Sequence, residues 1–163
     1  MTNASGHKRV DTASKVILAS PQTIYKAFID PEALVLWLPP KGMEGHVYTF
    51  DARDGGAYRM ALTYVGTNHS THGKTSDNTD VVQGIFLKLV PNERIVQRVE
   101  FESEDPAFAG AMIMTWTLEA IMGGTKVTIV CEDVPEGIRK EDHDAGMKST
   151  LDNLAAFLAA SAP

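Results

Sequence analysis

The last long segment of the chain reads IRKEDHDAGMKSTLDNLAAFLAA from residue 138 to residue 160. Its apolar residues recur at steps of four, three and four, which places them on one side of an α-helix. They are Met147, Leu151, Leu154 and Leu158. About 23 helical residues span roughly 35 Å. The segment therefore predicts one helix that is long enough to lie across a whole β-sheet.

The chain before this helix predicts an antiparallel sheet. The runs HVYTFDAR and AYRMALTYV alternate apolar and polar residues on either side of Asp54-Gly55-Gly56, which is typical of a β-hairpin. Asp51 and Arg53 lie two apart on a strand, so they are expected to form a salt bridge at its end rather than a catalytic pair. A second glycine turn, Met122-Gly123-Gly124, predicts another hairpin.

Two short helices are predicted between the first strand, residues 11–18, and this sheet. Ser20-Pro21 and Asp30-Pro31 each combine a capping side chain with proline at the first helical position. Pro39-Pro40 ends the second helix. The order of strand, two short helices, about six strands and long helix predicts an α+β domain with the long helix on one face of the sheet.

Composition limits the possible functions. The chain has 163 residues and a formal net charge of −6, which argues against binding to nucleic acid or anionic membranes. No apolar run reaches the length of a membrane span, and the first residues do not form a signal peptide, so a cytoplasmic protein is expected. The lone Cys131 is expected to be a buried core residue. We predict one domain over residues 11–160, a flexible N-terminus over 1–10 and a tail over 161–163.

No motif for a cofactor or a metal is visible. The sequence contains no nucleophile elbow, phosphate loop or set of four metal ligands. His69 and His72 lie in a polar loop, residues 66–80, without a cysteine or carboxylate in a defined element to support zinc binding. We therefore predict neither a cofactor nor a metal.

These features together resemble the START-like (SRPBCC, Bet v 1-type) helix-grip superfamily, and within it the homologues of the activator of heat-shock-protein-90 ATPase. The residues that carry the resemblance are, in chain order, Ser20-Pro21, Asp30-Pro31, Leu34, Trp37, FDARDGGAYR, PNERIVQ, WTLEAIMGGTKVTI and GMKSTLDNLAAFL. The resemblance implies a curved antiparallel sheet wrapped around the C-terminal helix, with a cavity between them. It does not predict chaperone activation, because the chaperone activators bind through an additional N-terminal domain.

We predict that this cavity binds a small hydrophobic molecule without catalysis. Methionine is frequent among the residues expected to line it, which suits a deformable pocket, and Gln97 is a polar side chain on an otherwise apolar strand face. The predicted ligand-binding residues are Trp37, Tyr58, Met60, Gln97, Phe101, Met112, Met114, Trp116, His143, Met147 and Leu151.

Several alternatives stay open. The apolar stripes could form a packed core without a cavity. An enzyme of the cyclase or hydrolase type would need an ionisable group inside, for which His143, Tyr58 and Tyr64 are the candidates. The simpler interpretation of His143 is a partly exposed residue at the sheet edge, because spacing identifies no carboxylate partner. Two further alternatives are an interaction module with a chaperone partner and a homodimer formed through an edge strand.

Overall fold

The computed structural model describes residues 9–65, 73–76 and 78–161. The predicted order of elements is confirmed, and the predictions for His69, His72 and residues 1–8 lie outside the described residues. The elements are β1 (Val10–Ile17), α1 (Pro21–Ile29), α2 (Pro31–Trp37), β2 (Met43–Phe50), β3 (Ala57–Tyr64), β4 (Thr79–Val90), β5 (Arg94–Phe101), a 3-10 turn (Pro106–Phe108), β6 (Met112–Ile121), β7 (Gly124–Glu132) and α3 (Lys140–Ser161).

The seven strands form one antiparallel sheet with the order β1-β7-β6-β5-β4-β3-β2. Consecutive strands from β2 to β7 are neighbours, whereas β1 pairs with β7, so that Asp11 lies opposite Cys131. The pairing shifts register between Val47 and Thr49 and again between Phe86 and Lys88. Such bulges bend a strand and increase its twist, which suits a sheet that curves around a helix.

The short helices begin where the sequence predicts. The Ser20 hydroxyl accepts a hydrogen bond from the Thr23 amide at 3.2 Å, and the Asp30 carboxylate accepts one from the Glu32 amide at 3.0 Å. Each cap satisfies a backbone N–H that the first helical turn leaves without a partner. The two helices are therefore separated only by the bend at Asp30.

The predicted glycine hairpin between β2 and β3 is also confirmed. Gly55 has a φ of 81°, a conformation that glycine adopts without steric cost. The Asp54 carboxylate accepts a hydrogen bond from the Leu89 amide at 2.8 Å, and Arg53 pairs with Asp51 at 2.7 Å. The Asp54 hydrogen bond thus ties the turn to β4, and the Arg53–Asp51 pair lies exposed beside it.

An aromatic cluster fills the interior between α1, α2 and the sheet. Trp37, the last residue of α2, and Trp116 on β6 are 0% and 2% exposed. The Phe28 ring contacts both indoles edge to face, with centroid distances of 4.8 and 4.9 Å. The Trp37 Nε1–H donates to the Ala27 carbonyl at 3.0 Å, so the buried indole keeps a hydrogen bond.

Helix α3 lies along β1 on the inner face of the sheet. Near its start His143 contacts Asp11 at 2.7 Å, and nine residues later Asp152 contacts Lys15 at 3.1 Å. On its other side the Thr150 hydroxyl donates to the Leu38 carbonyl at 2.9 Å. The helix is thus fixed between the first strand and the loop that follows α2.

Replacing each of two glycines by alanine should change the free energy of unfolding in opposite directions. A Cβ at Gly84 would lie 2.0 Å from Cζ of Tyr58, whose ring crosses that position, whereas a Cβ at Gly146 in α3 would meet nothing within 4 Å. We expect Gly84→Ala to lower the free energy of unfolding by about 1–3 kcal/mol through overpacking. Gly146→Ala should raise it by about 0.5–1 kcal/mol, because alanine favours a helix interior. Urea unfolding of the two variants beside the wild type measures both changes.

Candidate functional site

The predicted site residues on the strands share the inner face of the sheet. Gln97 on β5 lies opposite Met114 on β6, and Ile95 lies opposite Trp116. Because side chains alternate along a strand, residues two apart project from the same face. Met112, Met114 and Trp116 therefore face the same side as α3, as predicted from the sequence.

These residues fall into two groups by burial. The buried group belongs to the hydrophobic core: Trp37, Tyr58, Met60, Met112, Trp116, Met147 and Leu151. The half-buried group is Gln97, Phe101, Met114 and His143. The half-buried group therefore marks where the inner face is still reached by solvent, and we call Gln97, Phe101 and Met114 together the open face.

Gln97 obtains its polar partner from a neighbouring part of the sheet. The ring of Tyr58 on β3 crosses Gly84 on β4, and its hydroxyl donates to Oε1 of Gln97 at 3.3 Å. Burial raises the pKa of Tyr58, so its hydroxyl stays protonated and acts as a donor. The contact occupies the carbonyl end of the Gln97 amide and leaves the NH₂ end for another acceptor.

A second polar cluster lies where β1 meets the start of α3. His143 Nδ1 is 2.7 Å from Oδ2 of Asp11. Arg9 donates to the same oxygen at 3.1 Å through Nε, and its Nη1 donates to the Ile138 carbonyl at 2.5 Å. Among the described residues, none donates a hydrogen bond to the other, buried oxygen, Oδ1, and Lys140 Nζ is 4.0 Å away.

The charges around Asp11 control its protonation. Burial raises the pKa of Asp11, but the hydrogen bond from His143 and the charge of Arg9 outweigh burial, so the pKa lies below its usual value. On the neighbouring strand, burial and the Asp11 charge raise the pKa of Cys131 to about 12. Cys131 is therefore a protonated core thiol rather than a nucleophile.

An ion pair borders the other end of the open face. Lys74 Nζ lies 3.1 Å from Asp80 on β4, and its side chain is largely buried. The ammonium also lies 4.8 Å from the centre of the Phe101 ring and 5.9 Å from that of Phe108. The pair and its aromatic neighbours thus connect residues 73–76 with the 3-10 turn, beside Phe101.

Two surface depressions lie away from the open face. One of about 360 Å³ lies on the outer face of the sheet, and one of about 310 Å³ lies between α2 and β2. Tyr58 is the one predicted site residue that lines either of them. On the outer face, hydrogen bonds from Arg59 and Gln83 lower the pKa of Glu102 to about 2.

Four polar residues around the inner face were not predicted from the sequence: Arg9, Asp11, Lys74 and Asp80. Asp11 and Asp80 project from the inner sides of their strands, where a carboxylate requires a partner. Their inward position in the alternation of side chains along each strand is the signal that could have identified Asp11 and Asp80. Roles in ligand binding for the residues of the predicted set stay predictions.

Replacing Asp11 should change stability and its dependence on pH. Because the pKa of Asp11 is lower in the folded state, its contribution is present at neutral pH and is lost as the pH falls below about 4. We expect Asp11→Asn to lower the free energy of unfolding at pH 7 by about 2 kcal/mol. As the pH falls from 5 to 2, the free energy of unfolding of Asp11→Asn should decrease less steeply than that of the wild type.

Asp51→Asn is the matched control, because Asp51 also pairs with an arginine but is exposed. Urea unfolding across the pH range should give Asp51→Asn the same free energy of unfolding as the wild type, because exposed ion pairs contribute little. A pH profile of Asp11→Asn parallel to that of the wild type would contradict the role assigned to Asp11.

Similar structures carry the same fold. Protein CV1439 from Chromobacterium violaceum is 35% identical, with a TM-score of 0.80 over 90% of this chain and 94% of that one. A protein from Rhodobacter sphaeroides is 18% identical, with a TM-score of 0.74 over 94% of this chain and 95% of that one. A protein from Mycobacterium smegmatis is also 18% identical, with a TM-score of 0.71 over 91% and 90% of the two chains. No curated protein matches the chain.

The family itself follows from a match over most of the domain. None of the helices within the described ranges is both long enough and apolar enough to cross a membrane. Residues 18–159 match the family described as Activator of Hsp90 ATPase homolog 1-like protein. The helix-grip fold predicted from the sequence is confirmed, and the chain belongs to this family of START-like domains.

Proposed function

We propose that the protein binds a small hydrophobic molecule on the inner face of the sheet, beside α3. The observation that carries the proposal is that Met114, Gln97 and Phe101 project from the same face as the core yet stay half-buried. An apolar surface with one polar group, on the inner face of a sheet that carries a helix, has the usual composition of a small-molecule site.

Methionine side chains supply the adaptability that such a site needs. Met114 is half-buried at the open face, and Met112 and Met147 lie in the core beside it. Unbranched thioether side chains adopt several rotamers at low cost, so they can move to admit a ligand. The ligand would therefore replace solvent over Met114 while the Trp37–Trp116 cluster stays packed.

The polar groups suit an uncharged or weakly polar ligand. Tyr58 occupies the carbonyl oxygen of Gln97, so the amide NH₂ is the end that remains to donate to a ligand acceptor. Lys74 at the border is already paired with Asp80. The open face thus offers mainly apolar contact, together with a single hydrogen-bond donor from the Gln97 amide.

Filling the open face should weaken binding without unfolding the protein. We expect Met114→Trp to weaken binding of the uncharged probe N-phenyl-1-naphthylamine by about tenfold, equal to about 1.4 kcal/mol, because the indole takes the space of the ligand. Fluorescence titration of the probe measures the affinity, and thermal unfolding confirms that the variant is folded.

Met122→Trp is the matched control, because Met122 is fully exposed on the turn between β6 and β7. It introduces the same indole away from the inner face and should leave the affinity unchanged. Equal affinities for the wild type and a folded Met114→Trp variant would count against the proposed site, and the absence of probe binding to the wild type would exclude it.

A further inference from the structure

The contact between Asp11 and His143 determines which imidazole nitrogen carries the proton. Arg9 donates to Oδ2 of Asp11 at 3.1 Å, and this pairing favours the ionised carboxylate, which can only accept hydrogen bonds. His143 Nδ1, 2.7 Å from the same oxygen, must therefore be the donor. In a neutral imidazole with the proton on Nδ1, the other nitrogen, Nε2, is an acceptor.

That second nitrogen is available to a ligand. Nε2 of His143 makes no hydrogen bond to the residues that the structure describes, and 15% of the side chain remains exposed. Across the sheet, Asp11, Cys131 and Met114 occupy one row of the inner face. Because neighbouring strands are about 4.8 Å apart, Asp11 lies about 10 Å from Met114. The Asp11–His143 pair therefore lies on the inner face two strands from Met114, on the β1 side of the open face.

The charges nearby favour a neutral donor over an anion. The carboxylate of Asp11 contacts Nδ1, the imidazole nitrogen on the other side of the ring from Nε2, so its negative charge repels an anionic ligand. An anion would also bring an acceptor to the Nε2 lone pair, which is itself an acceptor. The two adjacent cations already have carboxylate partners, since Arg9 pairs with Asp11 and Lys140 pairs with Asp144 at 3.0 Å. A hydroxyl group satisfies Nε2 without adding charge.

We propose that the hydrophobic ligand carries a hydroxyl group that donates a hydrogen bond to Nε2 of His143, with Asp11 as the positioning residue that keeps this nitrogen free to accept. The expected ligand class is apolar alcohols with an aromatic or alicyclic body. This inference rests on the proposed function and adds a polar contact to it.

A pair of nearly isosteric probes tests the contact. 2-Naphthalenemethanol and 2-ethylnaphthalene differ in having a hydroxyl or a methyl group at one position, and each is used at pH 8.5 to displace N-phenyl-1-naphthylamine. The affinity ratio of alcohol to hydrocarbon should fall roughly three- to tenfold in His143→Phe, because one hydrogen bond is lost.

His46→Phe is the matched control, because His46 is exposed on β2 and should leave the ratio unchanged. An equal ratio in the wild type and His143→Phe, with both probes bound, would overturn the hydroxyl contact and leave the proposed function intact. Failure of both probes to displace N-phenyl-1-naphthylamine from the wild type would overturn the proposed function and this inference together.

A measurement on the wild type avoids any loss of folding in the variants. Long-range ¹H–¹⁵N spectra at pH 8.5 should show His143 with its proton on Nδ1, and adding the alcohol, but not the hydrocarbon, should shift the Nε2 resonance. Asp11→Asn should move the population toward the Nε2–H form, which a merely structural role would not require. Finding the Nε2–H form in the wild type would overturn the proposal.

Discussion

The packing of Trp37 against Trp116 through Phe28 is the contact on which the rest of the domain depends. Both indoles are almost completely excluded from solvent, and they join the end of α2 to the middle of the sheet. Once α2 is fixed, the carbonyls of Leu38 and Pro39 that follow it are in place to accept hydrogen bonds from α3. The same packing fills one end of the interior, whereas the half-buried residues of the inner face lie at the other end, around Met114.

The architecture was predictable because its signals are local. Ser20 and Asp30 cap helices within three residues of themselves, and a φ of 81° at Gly55 belongs to a turn contained in a few residues. The apolar stripe of α3 is likewise visible in one segment. Each of these features depends on neighbours along the chain, so the sequence contains enough information to identify it.

The polar contacts of the site depend instead on register and on the placement of a helix. His143 and Asp11 are 132 residues apart, and they meet only because β1 pairs with β7 and α3 lies along β1. The polar position of Gln97 predicted that it would need a partner, but the identity of Tyr58 follows from the lack of a side chain at Gly84. The polar side of α3 shows the same limit, because the hydrogen bond that Asn153 donates to the Pro39 carbonyl joins residues 114 positions apart.

The position of β1 beside β7 has a consequence for the newly synthesised chain. Thr12 donates to the carbonyl of Ile129, 117 residues further along, so β1 leaves the ribosome roughly 6 to 23 s before its neighbour. The hairpins from β2 to β7 can form in sequence as they emerge, whereas β1 must wait. The β1–β7 pairing has the highest contact order and therefore forms last among the strand pairings. β1 can join the sheet only after β7 has been translated.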